Sequence, residues 1–260
     1  MNLHLFLIVG YSWWPFIMAV GLFYVLTGFC FFINYVGLKI LFLGLIILGS
    51  ASYFWLLDAS DEAVYGGSHS RVVRNSLMKG FLLFLVSEIM LFFGFFWAFF
   101  HSALATSVEL GSVWPPYGIM IIPPYDYPLL NTCLLIVSGF SVTWVHRGIA
   151  SGSYRESLDS FLITILLGLI FMYFQIKEYY GATFNLQDGI YASTFYMLTG
   201  LHGCHVVVGI FFLIISMLSL LRGNYLRTHY LRLVFAIWYW HFVDIVWIFL
   251  FLGLYCWGSW

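Results

Sequence analysis

Seven stretches of this chain are apolar over lengths that match the hydrocarbon thickness of a lipid bilayer, where a helix needs about 20 residues to cross. They run over Pro15–Tyr35, Ile40–Leu57, Leu77–Leu104, Leu129–Val145, Leu158–Tyr179, Ile190–Leu221 and Leu233–Trp257. Backbone groups in lipid must be bonded within their own segment, so apolar runs of this length fold as helices. Composition agrees. Of 260 residues, 63% are hydrophobic and 8% are charged, against about a quarter charged in water-soluble domains. So few charges do not cover a soluble surface. The fold class is therefore all-α integral membrane, with one membrane domain over 1–260: helices one and two within 1–57, a loop over 58–78, and helices three to seven within 79–260. The net charge of −1 argues against a nucleic-acid partner.

The ten Lys and Arg residues set the orientation. Arg71, Arg74, Lys79, Arg147, Arg155, Arg222, Arg227 and Arg232 share one side with the N-terminus, and only Lys39 and Lys177 fall on the other. By the positive-inside rule the N-terminus faces the matrix or cytoplasm and the C-terminus lies outside. Pro15 belongs to the first turn of span one. The other prolines fall in GSVWPPYGIMIIPPYDYP, between spans three and four, which predicts an ordered, irregular cap. The start MNLHLFLIVG has no basic, cleavable leader, as expected of synthesis in the compartment of insertion. Cys30, Cys133, Cys204 and Cys256 stand singly in apolar runs, as small buried hydrophobes rather than a disulfide or metal site. No internal repeat, phosphate loop, nucleophilic triad or haem-attachment motif is present.

Polar groups within spans are costly, which makes each a candidate for function. Glu88 falls about 16 Å into span three, near mid-bilayer. It reads as a proton-handling or headgroup-binding acid, or as a neutral acid bonded to a neighbouring helix. His101, about 220° around the same helix from Glu88, reads as an interfacial anchor. His202 and His205 in TGLHGCHVVVG are three apart on one face, a spacing that suits either metal ligation, with Glu88 as a third group, or inter-helix hydrogen bonding. His241 and Asp244 in WYWHFVDIVW adjoin on span seven and predict a mutual or inter-helix hydrogen bond. Trp238, Trp240, Trp247, Trp257 and Trp260 supply bulk and interfacial anchors.

Several long segments resemble subunit III of the haem-copper oxidases, mitochondrial type, in that family's order and spacing. They are SEIMLFFGFFWAFFHSAL, VELGSVWPPYGI, PLLNTCLLIVSG, VTWVHRG, EYYGATFNLQDGIYASTFYMLTGLHGCHVVVG and WYWHFVDIVWIFLFLGLYCWGS, with SWWP at the first span. The resemblance covers about Trp55 to Trp260. It implies helices one and two leaning away from a five-helix bundle, with phospholipid filling the cleft. It also implies no redox cofactor on this chain, haem a and copper being carried by partner subunits. Subunit I would be the main contact, beside subunit II and accessory subunits, in the mitochondrial inner membrane. The implied role is to support subunit I through lipid binding, oxygen access and sustained proton uptake. The family's intramembrane glutamate maps to Glu88, and its lipid positions to Trp55, Glu62, His69 and Arg222. Two arginines usual after span two stand here as Leu57 and Asp61, and a frequent His-His pair before span seven is Thr228–His229. The alternatives are subunit III of a quinol oxidase, an independent proton-coupled transporter centred on Glu88, and a His/Glu metal-dependent membrane enzyme.

Overall fold

The structure is a computed structural model that describes residues 10–35, 37–64, 70–106, 108, 111–222 and 231–258. The described residues form seven α-helices and no strand: α1 Trp14–Ile33, α2 Lys39–Val64, α3 Arg71–Leu104, α4 Tyr127–Ser151, α5 Tyr154–Gly181, α6 Ile190–Leu221 and α7 Leu231–Leu250, the last running on into a π-helical stretch Phe251–Trp257. All seven are long and apolar enough to cross a membrane. The segment 58–78, expected as a loop, is helical at both ends. α2 continues to Val64, and α3 starts at Arg71, where the Ser70 hydroxyl accepts the Val73 N–H at 3.3 Å. Helical bonding does not stop where the apolar run stops, and a serine cap favours a start outside it. α4 likewise takes in Pro128, in its first turn, where a missing N–H costs nothing.

The chain divides into two compact units, Met1–Leu77 and Met78–Trp260. In the first, α1 and α2 pack antiparallel at backbone distance. A Cβ on Gly28 would overlap the main chain at Leu41, one on Gly44 that of Val25, and one on Gly21 would press on Leu48. Small residues permit this approach, and dispersion across the close-packed faces holds it. Tyr35 and Gly37 at the turn adopt positive φ of 57° and 141°. At the open end the Trp14 ring stacks on Phe54 at 5.7 Å, and its indole N–H donates to the Asp58 carboxylate at 2.5 Å.

The second unit is tied by hydrogen bonds between helices at successive depths. Along the antiparallel α4–α5 pair, Ser141 and Thr164 share a hydroxyl bond of 2.7 Å, and Asn131 donates to Gln175 at 3.4 Å. Between α4 and α7 the indoles act as donors: Trp240 to Ser138 at 2.9 Å and Trp247 to Thr132 at 3.0 Å. Tyr179 of α5 donates to Thr199 of α6 at 2.7 Å. Of the tryptophans expected as bulk and interfacial anchors, Trp240 and Trp247 supply buried bulk and act as structural donors as well, and Trp260 lies outside the described residues. Between α3 and α4, Trp114 packs edge-on against Phe99 and Tyr191, and Ile119 and Ile122 rest on the core. The proline-rich segment is therefore an ordered cap over its described residues, with a cis peptide bond at Trp114–Pro115.

Filling the α1–α2 contact tests the first unit. Gly28→Val should lower stability by about 1–3 kcal/mol, the usual cost of overpacking. The change would be read as a lower thermal midpoint of the purified protein, whereas Gly49→Ala, whose Cβ meets nothing within 4 Å, should leave the midpoint in place.

Candidate functional site

α3 and α6 bring Glu88 and His205, each near the middle of its helix, face to face. Glu88 Oε2 lies 2.9 Å from His205 Nε2. The other imidazole nitrogen, Nδ1, is 2.8 Å from the Leu201 carbonyl one turn back on α6. A carbonyl only accepts, so Nδ1 carries a hydrogen. The Glu88–His205 contact then contains one shared proton, either on the acid facing a neutral ring or on the ring facing a carboxylate. Both arrangements are neutral overall, which is how a bilayer interior tolerates an ionisable pair. Three rings surround the imidazole: Phe92 at 5.0 Å, Phe242 at 6.0 Å and Tyr239 stacked at 6.3 Å.

His202, three residues before His205, takes a different partner. Its Nε2 donates to the Val243 carbonyl of α7 at 3.2 Å, and it lies against Phe171 and Trp247. The shared face read from the spacing is thus divided: one histidine serves α3, the other α7. Among the described residues no group of three or more His, Cys, Asp or Glu side chains is placed to hold a metal ion.

His241 and Asp244 do adjoin, but their closest atoms are 3.9 Å apart, too far for a hydrogen bond. His241 instead faces Thr143 of α4 at 3.4 Å. The Asp244 carboxyl packs into the space left by Gly139, where a Cβ would collide with it. Of the mutual or inter-helix hydrogen bond expected from the sequence, the inter-helix form is present, through His241 and Thr143, and the mutual form is absent because the short aspartate side chain reaches across to α4 rather than along α7. His101 is exposed and, with Trp97, His241 and Trp257, borders an apolar groove between α3 and α7 of about 1190 Å³. Trp55 is exposed and Glu62 half-buried on α2. Arg222 closes α6, its backbone N–H bonded to the Leu218 carbonyl. His69 and Thr228–His229 lie outside the described residues.

Glu178 is a buried polar group that the apolar pattern does not single out. This carboxyl is buried near the end of α5, within the apolar run, and accepts the Tyr255 hydroxyl at 2.6 Å and the Gln175 amide at 3.3 Å. Gln175 in turn accepts Asn131, so four side chains from α4, α5 and the π-helical stretch form one buried chain. The signal was present as Gln175 and Glu178 at i, i+3, but a charge close to a span boundary reads as an interfacial residue.

Fold and site together define a helical membrane protein whose buried polar groups are spent on joining its helices. The family model described as cytochrome c oxidase subunit III matches residues 4–259. The chain is 46% identical over 256 residues to cytochrome c oxidase subunit 3 of Cyanidium caldarium, covering 98% of this chain and 95% of that one. It is 44% identical over 261 residues to the protein of that name from Prototheca wickerhamii, covering the whole of both, and 43% identical to that of Arabidopsis thaliana, covering 98% and 97%. The chain belongs to the cytochrome c oxidase subunit III family.

A double-substitution cycle tests the Glu88–His205 pair. Glu88→Leu and His205→Leu should each cost about 1–3 kcal/mol, since each leaves a polar partner without its bond in a poorly hydrated site. The double variant should cost clearly less than the sum of the two. Thermal midpoints of the purified protein read all three; strict additivity would mean that the two side chains do not interact.

Proposed function

We propose that this chain is a core subunit of the terminal respiratory oxidase. In this reading it flanks the subunit that carries haem a and copper and bears no redox centre itself. It supports electron transfer from cytochrome c to oxygen, coupled to proton pumping, by holding phospholipids, maintaining oxygen access and sustaining proton uptake. The membrane is the mitochondrial inner membrane, with the N-terminus on the matrix side, as the distribution of Lys and Arg favours. Trp55, Glu62, His69 and Arg222 contact phospholipid, and Glu88 is the intramembrane acid of functional interest.

The observation that carries this reading is the family match over nearly the whole chain. The side-chain chemistry supports it. A proton-coupled transporter acting alone needs polar groups stacked at several depths along one path. Here the polar side chains Glu88, His205, His202, Trp240 and Trp247 bond laterally, helix to helix, which is packing rather than conduction. Neither the transporter reading nor the quinol-oxidase reading is favoured.

Affinity purification of the chain from mild-detergent extracts tests the assignment. The preparation should show an a-type haem signal in its reduced-minus-oxidised spectrum and oxidise reduced cytochrome c. A monodisperse, haem-free protein that retains the tagged chain would overturn the assignment.

A further inference from the structure

The buried chain formed by Asn131, Gln175, Glu178 and Tyr255 does not balance as it stands. Each of the four side chains is at most 3% exposed, so none of its polar groups is served by bulk solvent. Donation runs in one direction: Asn131 to Gln175, then Gln175 and Tyr255 both onto Glu178 Oε1. Two acceptors remain without a partner, Glu178 Oε2 and Asn131 Oδ1, at the two ends of the same chain. Buried polar atoms in native proteins are paired, by protein or by water, in roughly nine cases of ten or more. Two orphaned oxygens in one cluster therefore ask for a common cause.

One proton removes both faults at once. On Oε2 it turns an orphan acceptor into a donor, and the acceptor still lacking a donor in that chain is Asn131 Oδ1. Oε1 then serves as the acid's carbonyl oxygen, whose two lone pairs are filled by Tyr255 and Gln175. The charge count leads to the same place. An ionised carboxylate buried without a cation costs several kcal/mol, and the charged neighbour on α5, Lys177, is turned away, its ammonium 4.9 Å above the Tyr173 ring. The titratable groups around Glu178 are tyrosines: Tyr179 on α5, Tyr191 and Tyr196 on α6, and Tyr255. Among the bonds made by Asn131 of α4, none is to a charged group. A metal ion fits the donor set poorly, because amide hydrogens of Asn131 and Gln175 are part of the same cluster and would face it.

We propose that Asn131, Gln175, Glu178 and Tyr255 form a proton-binding site in which Glu178 holds one proton on Oε2, shared with Asn131 Oδ1 directly or through one bound water. Such a site closes a hydrogen-bonded circuit across α4, α5 and the π-helical stretch, at the end of the bundle where α4 begins and α5 ends. It is separate from the Glu88–His205 pair and does not rest on the oxidase assignment.

Infrared spectroscopy of the protein as isolated from the membrane at neutral pH, compared between wild type and variants, reads the proton directly. Wild type should show a carboxylic-acid carbonyl stretch that moves to lower wavenumber after prolonged exchange into heavy water. Glu178→Gln should lose that band while keeping the thermal midpoint, since its amide N–H replaces the acid's donor to Asn131. Tyr255→Phe, which removes one donor from Oε1, should shift the band to higher wavenumber without abolishing it. Two results would overturn the proposal: an acid-region spectrum that is identical in wild type and Glu178→Gln, or a Glu178 signal found as carboxylate and altered by replacing sodium with a bulky organic cation. Should Glu178→Gln fail to assemble, the Tyr255→Phe shift alone decides, and an unmoved band counts against the site.

Discussion

A polar group inside a bilayer has no water to fall back on, and the architecture of the second unit follows from that constraint. Apolar side chains give little preference for helix against helix over helix against lipid, since acyl chains are as apolar as leucine. What distinguishes the correct neighbour is a partner for each hydroxyl, indole, amide and imidazole. Ser138, Ser141 and Thr132 on α4 meet Trp240, Thr164 and Trp247, and a rotation of α4 by one residue would break all three inter-helix bonds at once, leaving the buried Trp240 and Trp247 indoles without acceptors. The bonds are individually modest, about 1 kcal/mol each, yet together they exclude alternative registers far more effectively than apolar contact does.

The first unit solves the same problem by other means. α1 and α2 have almost no polar side chains to offer each other within the span, so they approach through Gly21, Gly28 and Gly44 until main chain meets main chain. The polar contact is deferred to the end, where Trp14 and Asp58 pair. Close backbone packing gains dispersion over a long antiparallel seam. It carries less positional information than a ladder of hydrogen bonds, and the spacing of the glycines has to supply the register instead.

Much of the fold was legible in the sequence because the bilayer imposes one length and one chemistry on every crossing. The apolar runs and Pro15 each report on that one constraint. Helix ends were less legible: Asp58 and Glu62 are polar, yet α2 carries both, because hydrogen bonding along a helix is indifferent to where the lipid ends. The site residues were legible as candidates and not as partnerships. His202 and His205 look equivalent in the sequence, and only the placement of α3 and α7 shows that one faces Glu88 and the other a backbone carbonyl. Glu178 escaped notice for the opposite reason, since its distance from a span boundary is visible in the sequence while its burial beneath Tyr255 is not.

The two buried acids illustrate how one residue type serves different ends in this chain. Glu88 meets an imidazole at 2.9 Å, and the pair can share a hydrogen bond whichever of the two carries the proton. Glu178 meets only hydroxyl and amide groups, which can redirect their hydrogens but cannot take up a charge. The first arrangement joins α3 to α6 near the middle of both helices. The second is directional, and its donors and acceptors agree in a single sense around the circuit. A carboxyl placed among amides at a helix terminus therefore ties three elements together, whereas one placed opposite an imidazole joins two. The difference lies in what stands across from the acid, and the fold decides that through the small residues and indoles that position α3, α6 and α7.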